Sequence, residues 1–148
     1  MTSDDDDLLR LENQLCFAMV TAARNVVAIY RPILEPLGLT HPQYLVMLAL
    51  WERAPRSLND LATDLALEPA SASPLVKRLE KEGLVRRTRS TEDERRLDID
   101  LTDAGLALRA RALDVPRQVM AAVGMDLESV ATLRDGLAPF AGRAPAAR

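Results

Sequence analysis

Leu8, Leu11, Leu15, Ala18, Ala22, Val26, Ile29 and Ile33 recur at three- and four-residue spacing, the period of one helix face. The spacing predicts a long amphipathic first helix over about 8–35 with a coiled-coil-like seam. Pro32 is expected to end or bend it, and Glu35-Pro36-Leu37-Gly38 reads as the loop that follows. Thr40 and Gln43 then stand three apart, the arrangement of a capping box, with Leu39 and Tyr44 at the hydrophobic-staple positions. A second helix therefore starts at Thr40 and carries Leu45, Leu48, Ala49 and Trp51 to about Arg53. Ala54-Pro55-Arg56 reads as a turn. Ser57 and Asp60 repeat the capping spacing ahead of Leu58, Leu61 and Leu65.

The next segment carries the chemistry. A helix opens at Pro69, a favoured first helical residue, and stops at Gly83, with Leu75, Val76 and Leu79 on its inward face. Leu84–Thr88 and Leu97–Leu101 alternate as two short strands. The polar stretch between them, Thr91-Glu92-Asp93-Glu94-Arg95-Arg96, is too long for a two-residue turn and predicts a protruding wing. Thr102 caps a further helix through Leu106, Leu108, Ala112 and Leu113, interrupted at Pro116. A last helix starts near Asp126 and runs through Leu127, Val130, Leu133 and Leu137. The expected fold is mainly α with a small β-wing: a winged helix-turn-helix lobe over about 40–102 and a helical region from about 8–35 and 103–138. Together they form a single domain over 8–138, flanked by an acidic disordered N-terminus (1–7) and a flexible tail (139–148). The terminal helices carry more apolar surface than a small winged helix can cover, and a second copy of the chain is the economical cover.

A helix with a slim, hydroxyl-bearing start and a basic end suits the DNA major groove, where bulky apolar residues would block the base edges. Ser71, Ala72 and Ser73 are the candidate base-contacting positions. Lys77, Arg78 and Arg87 are candidate phosphate contacts, and the wing arginines Arg95 and Arg96 are candidates for a neighbouring groove. The net charge of −3 looks wrong for such a partner, but its distribution matters more than its sum. Between Lys77 and Arg96 eight basic residues face five acidic ones, and the Asp4–Asp7 run supplies much of the compensating negative charge. A solvated helix face beside a charged hairpin would account for the charges alone, and local capping would account for Ser71 and Ser73.

At 48% apolar and 28% charged residues, the chain has the composition of an ordinary globular domain. No apolar run approaches the ~18 residues of a membrane span. The acidic start is unlike a secretory leader, so a cytoplasmic location is expected. One cysteine forms no internal disulfide, and one cysteine with one histidine makes no zinc site; neither metal nor cofactor is expected.

Over about Leu8–Leu137 the chain resembles the MarR family of dimeric winged-helix regulators. The wing signature Asp93-x-Arg95-x-x-x-x-x-Leu101-Thr102-x-x-Gly105 carries the resemblance. Leu11-Glu12-Asn13-Gln14-Leu15-Cys16-Phe17, Tyr30-Arg31-Pro32, Leu37–Leu45 and Pro74-Leu75-x-Lys77-Arg78-Leu79-Glu80 are similar to the organic hydroperoxide sensors of that family. The resemblance implies a repressor on double-stranded DNA, bound as a homodimer to a pseudo-palindromic operator. It implies that Cys16 is the peroxide-reactive residue, with its thiolate held by tyrosines of the partner subunit. Tyr30 matches one of these; His41 stands where the other would be, and Val20 stands where some members carry a further tyrosine. The helix start Glu68-Pro69-Ala70-Ser71-Ala72-Ser73 also departs from the family's usual Asp-Ser-Gly-Thr-Leu-Thr.

Peroxide is attacked by thiolate rather than thiol. Tyrosine hydroxyls can stabilise the anion by hydrogen bonds, and so can His41, more strongly if protonated. Oxidation yields a sulfenic acid. With no second cysteine in the chain, a mixed disulfide with a low-molecular-weight thiol, a sulfenamide or overoxidation follows. Cys16 and Tyr30 are fourteen residues apart, roughly 21 Å along one straight helix, so any contact between them must cross between subunits. The alternatives are a lone cysteine that is only a small hydrophobe in a repressor released by a small phenolic or aromatic acid, a thiol peroxidase using Cys16, and a winged helix used only for protein contacts. His41 as a surface residue at a helix start is the matching alternative for that position.

Overall fold

The computed structural model describes residues 2–141. Its organising element is α3 (His41–Glu52), which buries Gln43, Tyr44, Val46, Met47, Ala49 and Leu50 and so sits inside the molecule rather than on its face. The predicted capping box closes its start: Gln43 N donates to Thr40 Oγ1 at 3.3 Å and Thr40 N donates to Gln43 Oε1 at 2.9 Å. α4 (Leu58–Asp64) begins under the Ser57 cap, which accepts from Asp60 N at 3.1 Å. α5 (Pro69–Lys81) follows, and the chain leaves it through Gly83 in the left-handed region, φ 80°.

β2 (Val85–Arg89) and β3 (Leu97–Leu101) form the wing hairpin, in register Val85↔Leu101 to Arg89↔Leu97. A third strand, β1 (Arg56–Ser57), pairs antiparallel with β3 through Arg56↔Ile99 and Ser57↔Asp98, giving the order β1-β3-β2. The sequence reads this position as a turn. Two residues are too few for alternation to register, so the strand exists only through its partner. It carries a buried arginine: Arg56 is 2% exposed, donates to the Ala49 and Asp60 carbonyls and pairs with the Asp64 carboxylate. α6 (Asp103–Ala112), α7 (Val115–Val123) and α8 (Leu127–Leu137) complete the chain, with breaks at Pro116 and the Asp126 cap where expected. Leu34, Met47, Leu50, Leu61, Val76, Leu79, Val85, Ile99 and Val115 form one core joining these elements.

The N-terminal region differs from expectation in two ways. Residues Thr2–Leu8, expected to be disordered, form a short helix, α1; Asp4 and Asp5 sit in its first turn, where negative charge is stabilised by the positive end of the helix dipole. The single long helix from Leu8 is broken. A 3-10 turn (Leu11–Asn13) intervenes, and α2 (Leu15–Leu34) starts only after Gln14 turns extended. The physical reason is local. The Asn13 amide donates to the Asp7 carbonyl at 2.7 Å, and the Gln14 amide donates to the Leu8 and Arg10 carbonyls at 2.8 Å each. Side chains that satisfy backbone groups in this way compete with the helix ladder. Pro32 stands in the last turn of α2, which ends two residues further on at Leu34, close to the expected boundary; in a last turn a proline removes only one ladder bond. The tail expected over 139–148 lies, from 142 on, outside the described residues.

Large apolar side chains stay uncovered along the terminal elements: Leu15, Phe17, Val20 and Val27 on α2, Leu127, Leu133 and Leu137 on α8, and Phe140 beyond it. No helix among the described residues is long and apolar enough to cross a membrane.

Candidate DNA-binding surface and thiol site

α5 divides cleanly by face. Ala72, Val76 and Leu79 point into the core, while Ser71, Pro74, Lys77, Arg78 and Lys81 point out and Ser73 is half-buried. Ala72, expected at the nucleic-acid surface, is fully buried and reaches no base edge; it shares the inward stripe four residues before Val76. Lys81, not singled out from the sequence, extends the basic outer face by one turn; its spacing of four from Lys77 was the available signal. The exposed surface of the helix start is therefore made of Pro, Ala and Ser, small enough for close approach to a groove.

The wing's arginines are less free than their number suggests. Arg87 is clamped to Glu80 of α5, its Nε and Nη2 donating to Oε1 at 3.1 and 2.9 Å while its backbone N donates to Oε2. The side-chain hydrogen bond from Arg87 holds the Glu80 carboxyl below its ordinary pKa. This clamp ties α5 to β2, and it occupies the guanidinium expected on phosphate. Arg86 pairs with Asp100 at 3.5 Å, Arg89 donates to the Glu94 carbonyl, and Arg96 pairs with Asp98 and Asp60. Of the tip and strand arginines, Arg89 and Arg95 have no ion pair among the described residues, and Arg95 alone makes no side-chain hydrogen bond either. Its backbone N donates to Asp93 Oδ1 at 3.0 Å, an Asx turn that sets the tip and explains why an aspartate stands two residues before it.

Cys16 is the second residue of α2 and is exposed, between exposed Leu15 and Phe17. Tyr30 lies on the same helix, fourteen residues on, with no interruption between them; at 1.5 Å per residue they are roughly 21 Å apart. One chain does not bring the sulfur and the phenol together. It does bring Tyr30 and His41 together: their rings lie 4.7 Å apart, and Tyr44 lies 5.9 Å from Tyr30. Burial raises the pKa of Tyr30; burial and then the charge of Tyr30 raise that of Tyr44; burial lowers that of His41. At neutral pH both phenols keep their protons and remain donors, while His41 is neutral. The imidazolium form, expected to be the stronger donor, is the one that burial disfavours. Tyr44, expected at a hydrophobic-staple position, is buried, and it also belongs to this aromatic cluster. It lies three residues after His41 on one helix face, which was the signal. Beside the cluster a cleft of about 440 Å³ separates α2 from α5, with Arg31, His41 and Arg78 among its lining residues.

Residues 39–97, which hold the helix-turn-helix and most of the wing, match the MarR family. The chain is 37% identical over 131 residues to the organic hydroperoxide resistance transcriptional regulator of Bacillus subtilis, covering 88% of this chain and 89% of the relative. It is 42% identical over 133 residues to the HTH-type transcriptional regulator TtmR of Methylorubrum extorquens, covering 90% and 68%. Among solved structures it is similar to AbfR of Staphylococcus epidermidis. Reduced AbfR bound to DNA matches at a TM-score of 0.69 and 38% identity over 75% of this chain and 78% of that one. Overoxidized AbfR bound to DNA matches at 0.74 and 32% over 92% and 96%.

Proposed function

The chain belongs to the MarR family and is a DNA-binding transcriptional regulator whose relatives are regulators rather than enzymes, and from that premise we propose that it is a homodimeric repressor released from its operator when an organic hydroperoxide oxidises Cys16. The observation that carries this reading is the placement of Cys16 and Tyr30 on one unbroken helix. The thiol is exposed at one end of α2, and a cluster of protonated phenols and a neutral imidazole waits at the other. An antiparallel second copy of α2 sets each sulfur beside Tyr30 of the partner subunit. The uncovered Leu15, Phe17, Leu127 and Leu133 supply the apolar face for that pairing.

The Cys16 thiolate attacks one peroxide oxygen. An S–O bond forms, the O–O bond breaks, and the alcohol leaves after taking a proton, so that sulfur is oxidised and the peroxide reduced. Hydrogen bonds from the partner's phenol favour the anion that begins the step. The sulfenic acid then condenses with a low-molecular-weight thiol, releasing water and leaving a mixed disulfide. AbfR is seen on DNA in an overoxidized state, which makes a bulky thiol adduct a better release state here than added oxygens alone. The dimer reads a pseudo-palindrome with half-sites about one helical turn apart, or a multiple of it, with Ser71 and Ser73 towards bases, Lys77, Arg78 and Lys81 on phosphates, and Arg95 in a neighbouring groove.

The test is a titration with cumene hydroperoxide and a small thiol, with the Cys16 adducts counted by mass spectrometry and DNA binding measured on the same samples. Loss of binding is expected to follow the modified fraction; full modification with intact binding, or release without modification, overturns the reading. The groove assignment is tested separately. Arg95→Ala is expected to weaken operator binding by about tenfold or more and to reduce the salt dependence by about one phosphate-equivalent, as measured by fluorescence anisotropy across a salt series.

The cleft between α2 and α5 favours a second reading, a small aromatic acid as inducer, because Arg31 and Arg78 offer cations beside the His41 ring. It separates from the first by its independence of sulfur: a phenolic acid that lifts the thermal midpoint and releases DNA from a Cys16→Ser protein supports it.

A further inference from the structure

Arg96 closes the wing tip with its backbone and leaves it with its side chain. Its N donates to the Asp93 carbonyl at 2.9 Å and its carbonyl accepts from Ser90 N at 2.9 Å, so the residue is held at the base of the tip. The guanidinium turns back towards the helix-turn-helix. Its Nε donates to Asp98 Oδ1 at 2.9 Å, and its Nη2 lies 3.7 Å from Asp60 Oδ2 in the first turn of α4. Asp98 is itself paired across the sheet with Ser57, the residue that caps α4. Arg96, Asp98, Ser57 and Asp60 therefore form one connected patch where the wing meets α4.

We propose that Arg96 is a positioning residue for DNA binding: it latches the wing to α4 through Asp98 and Asp60, so that Arg95 is carried at the angle that reaches the groove, and it does not itself contact nucleic acid. The inference rests on the wing entering DNA, as set out above. The foot of the wing is held by the Arg87–Glu80 clamp to α5, by the Thr102 junction and by the two residue pairs of β1 with β3; nearer the tip, Arg96 is the side chain that ties the wing to α4. Asp98, 19% exposed, is the firm anchor; Asp60, 52% exposed, supplies direction. Half-exposed ion pairs are screened and individually weak. The latch is accordingly expected to alter orientation, and with it affinity by a modest factor, rather than global stability.

Positioning and direct contact predict opposite signs for a simple variant. Asp60→Asn removes a negative charge from the DNA-facing lobe while keeping the Ser57 cap and the carbonyl that Arg56 uses. If the charges act only through their field on phosphate, Asp60→Asn binds DNA more tightly and restores part of what Arg96→Ala loses. If Arg96 and Asp60 act as a latch, Asp60→Asn binds less tightly, and the double variant is no worse than Arg96→Ala.

The experiment titrates full-length wild type, Arg96→Ala, Asp60→Asn, the double variant and Arg95→Ala across a salt series. The probe is a duplex selected on the wild-type protein from a random-sequence library, and each variant's thermal unfolding is followed to confirm the fold. Arg96→Ala is expected to bind about two- to fivefold more weakly, with a salt slope equal to wild type, and Asp60→Asn to weaken binding in the same direction without adding to it. A slope lower by about one for Arg96→Ala, as a lost phosphate contact would give, or Asp60→Asn binding at or above wild-type affinity, overturns the latch. Wild-type affinity in Arg95→Ala removes the wing from DNA altogether and takes the role of Arg96 with it, a result distinct from a normal Arg95 effect with an unlatched Arg96.

Discussion

Cys16→Ser is expected to hold its operator with an affinity within about twofold of wild type, as for a surface change away from the contact, and to stay bound at every hydroperoxide concentration that releases the native protein. Serine keeps the size and a hydrogen-bonding group, but its hydroxyl forms no usable anion near neutrality and does not attack an O–O bond. The residue is exposed at the start of α2, on a different element from α5 and the wing, so its replacement leaves the nucleic-acid surface intact. Mobility-shift titrations with and without cumene hydroperoxide read the result directly. Peroxide-driven release of Cys16→Ser would remove sulfur chemistry from the switch and leave the cleft as the sensing element. Release lost in Tyr30→Phe to a lesser degree would fit a phenol that assists the anion without being the reacting group.

Gly105→Ala is expected to lower stability by on the order of 3 kcal/mol, roughly a 10 °C fall in the thermal midpoint for a chain of this size. Gly105 does not need glycine for its backbone angles; it needs the space. A β-carbon there would stand 2.1 Å from the Leu84 carbonyl oxygen and 3.2 Å from Leu101 Cδ2. Neither side yields easily. The Leu84 oxygen accepts from Thr102 N at 3.1 Å, Thr102 Oγ1 donates to the Gly83 carbonyl at 2.6 Å and accepts from Gly105 N at 3.1 Å, and Gly105 O accepts from the Trp51 indole at 2.9 Å. The glycine therefore locks the start of α6 against the foot of the wing and against α3. Circular dichroism melts measure the loss, and fluorescence of Trp51, the single tryptophan, reports whether the junction itself has opened. A midpoint unchanged from wild type would mean that the Thr102 junction can shift as a unit.

The parts of this protein legible in its sequence are those made by contacts a few residues long. Thr40 with Gln43, Ser57 with Asp60, Thr102 with Gly105 and Asp126 with Ser129 are hydrogen bonds between positions three apart, so spacing and residue type identify them without any partner. The same holds for Gly83 at the end of α5 and for the apolar seam of α2. The break before α2 is also local, but Asn13 and Gln14 reach back six residues and compete with a helical pattern that looks continuous in hydrophobicity alone. Periodicity reports which face is apolar, not whether a side chain has captured the backbone.

What the sequence by itself determined is the order of the helices from α2 onward and of the wing strands β2 and β3, their caps, and a chain with a slim basic helix, an arginine-bearing wing and one thiol. The tertiary structure alone decided that Ala72 faces the core, that Arg56 is buried in a two-residue strand, and that Glu80, Asp100 and Asp98 with Asp60 engage Arg87, Arg86 and Arg96 and leave Arg95 without an ion pair. It alone decided that Tyr30, His41 and Tyr44 share one cluster while Cys16 stands a helix length away. The reason is that a cap is closed by neighbours along the chain, whereas charge pairing, strand register and the surroundings of a side chain are set by whichever segment arrives from elsewhere.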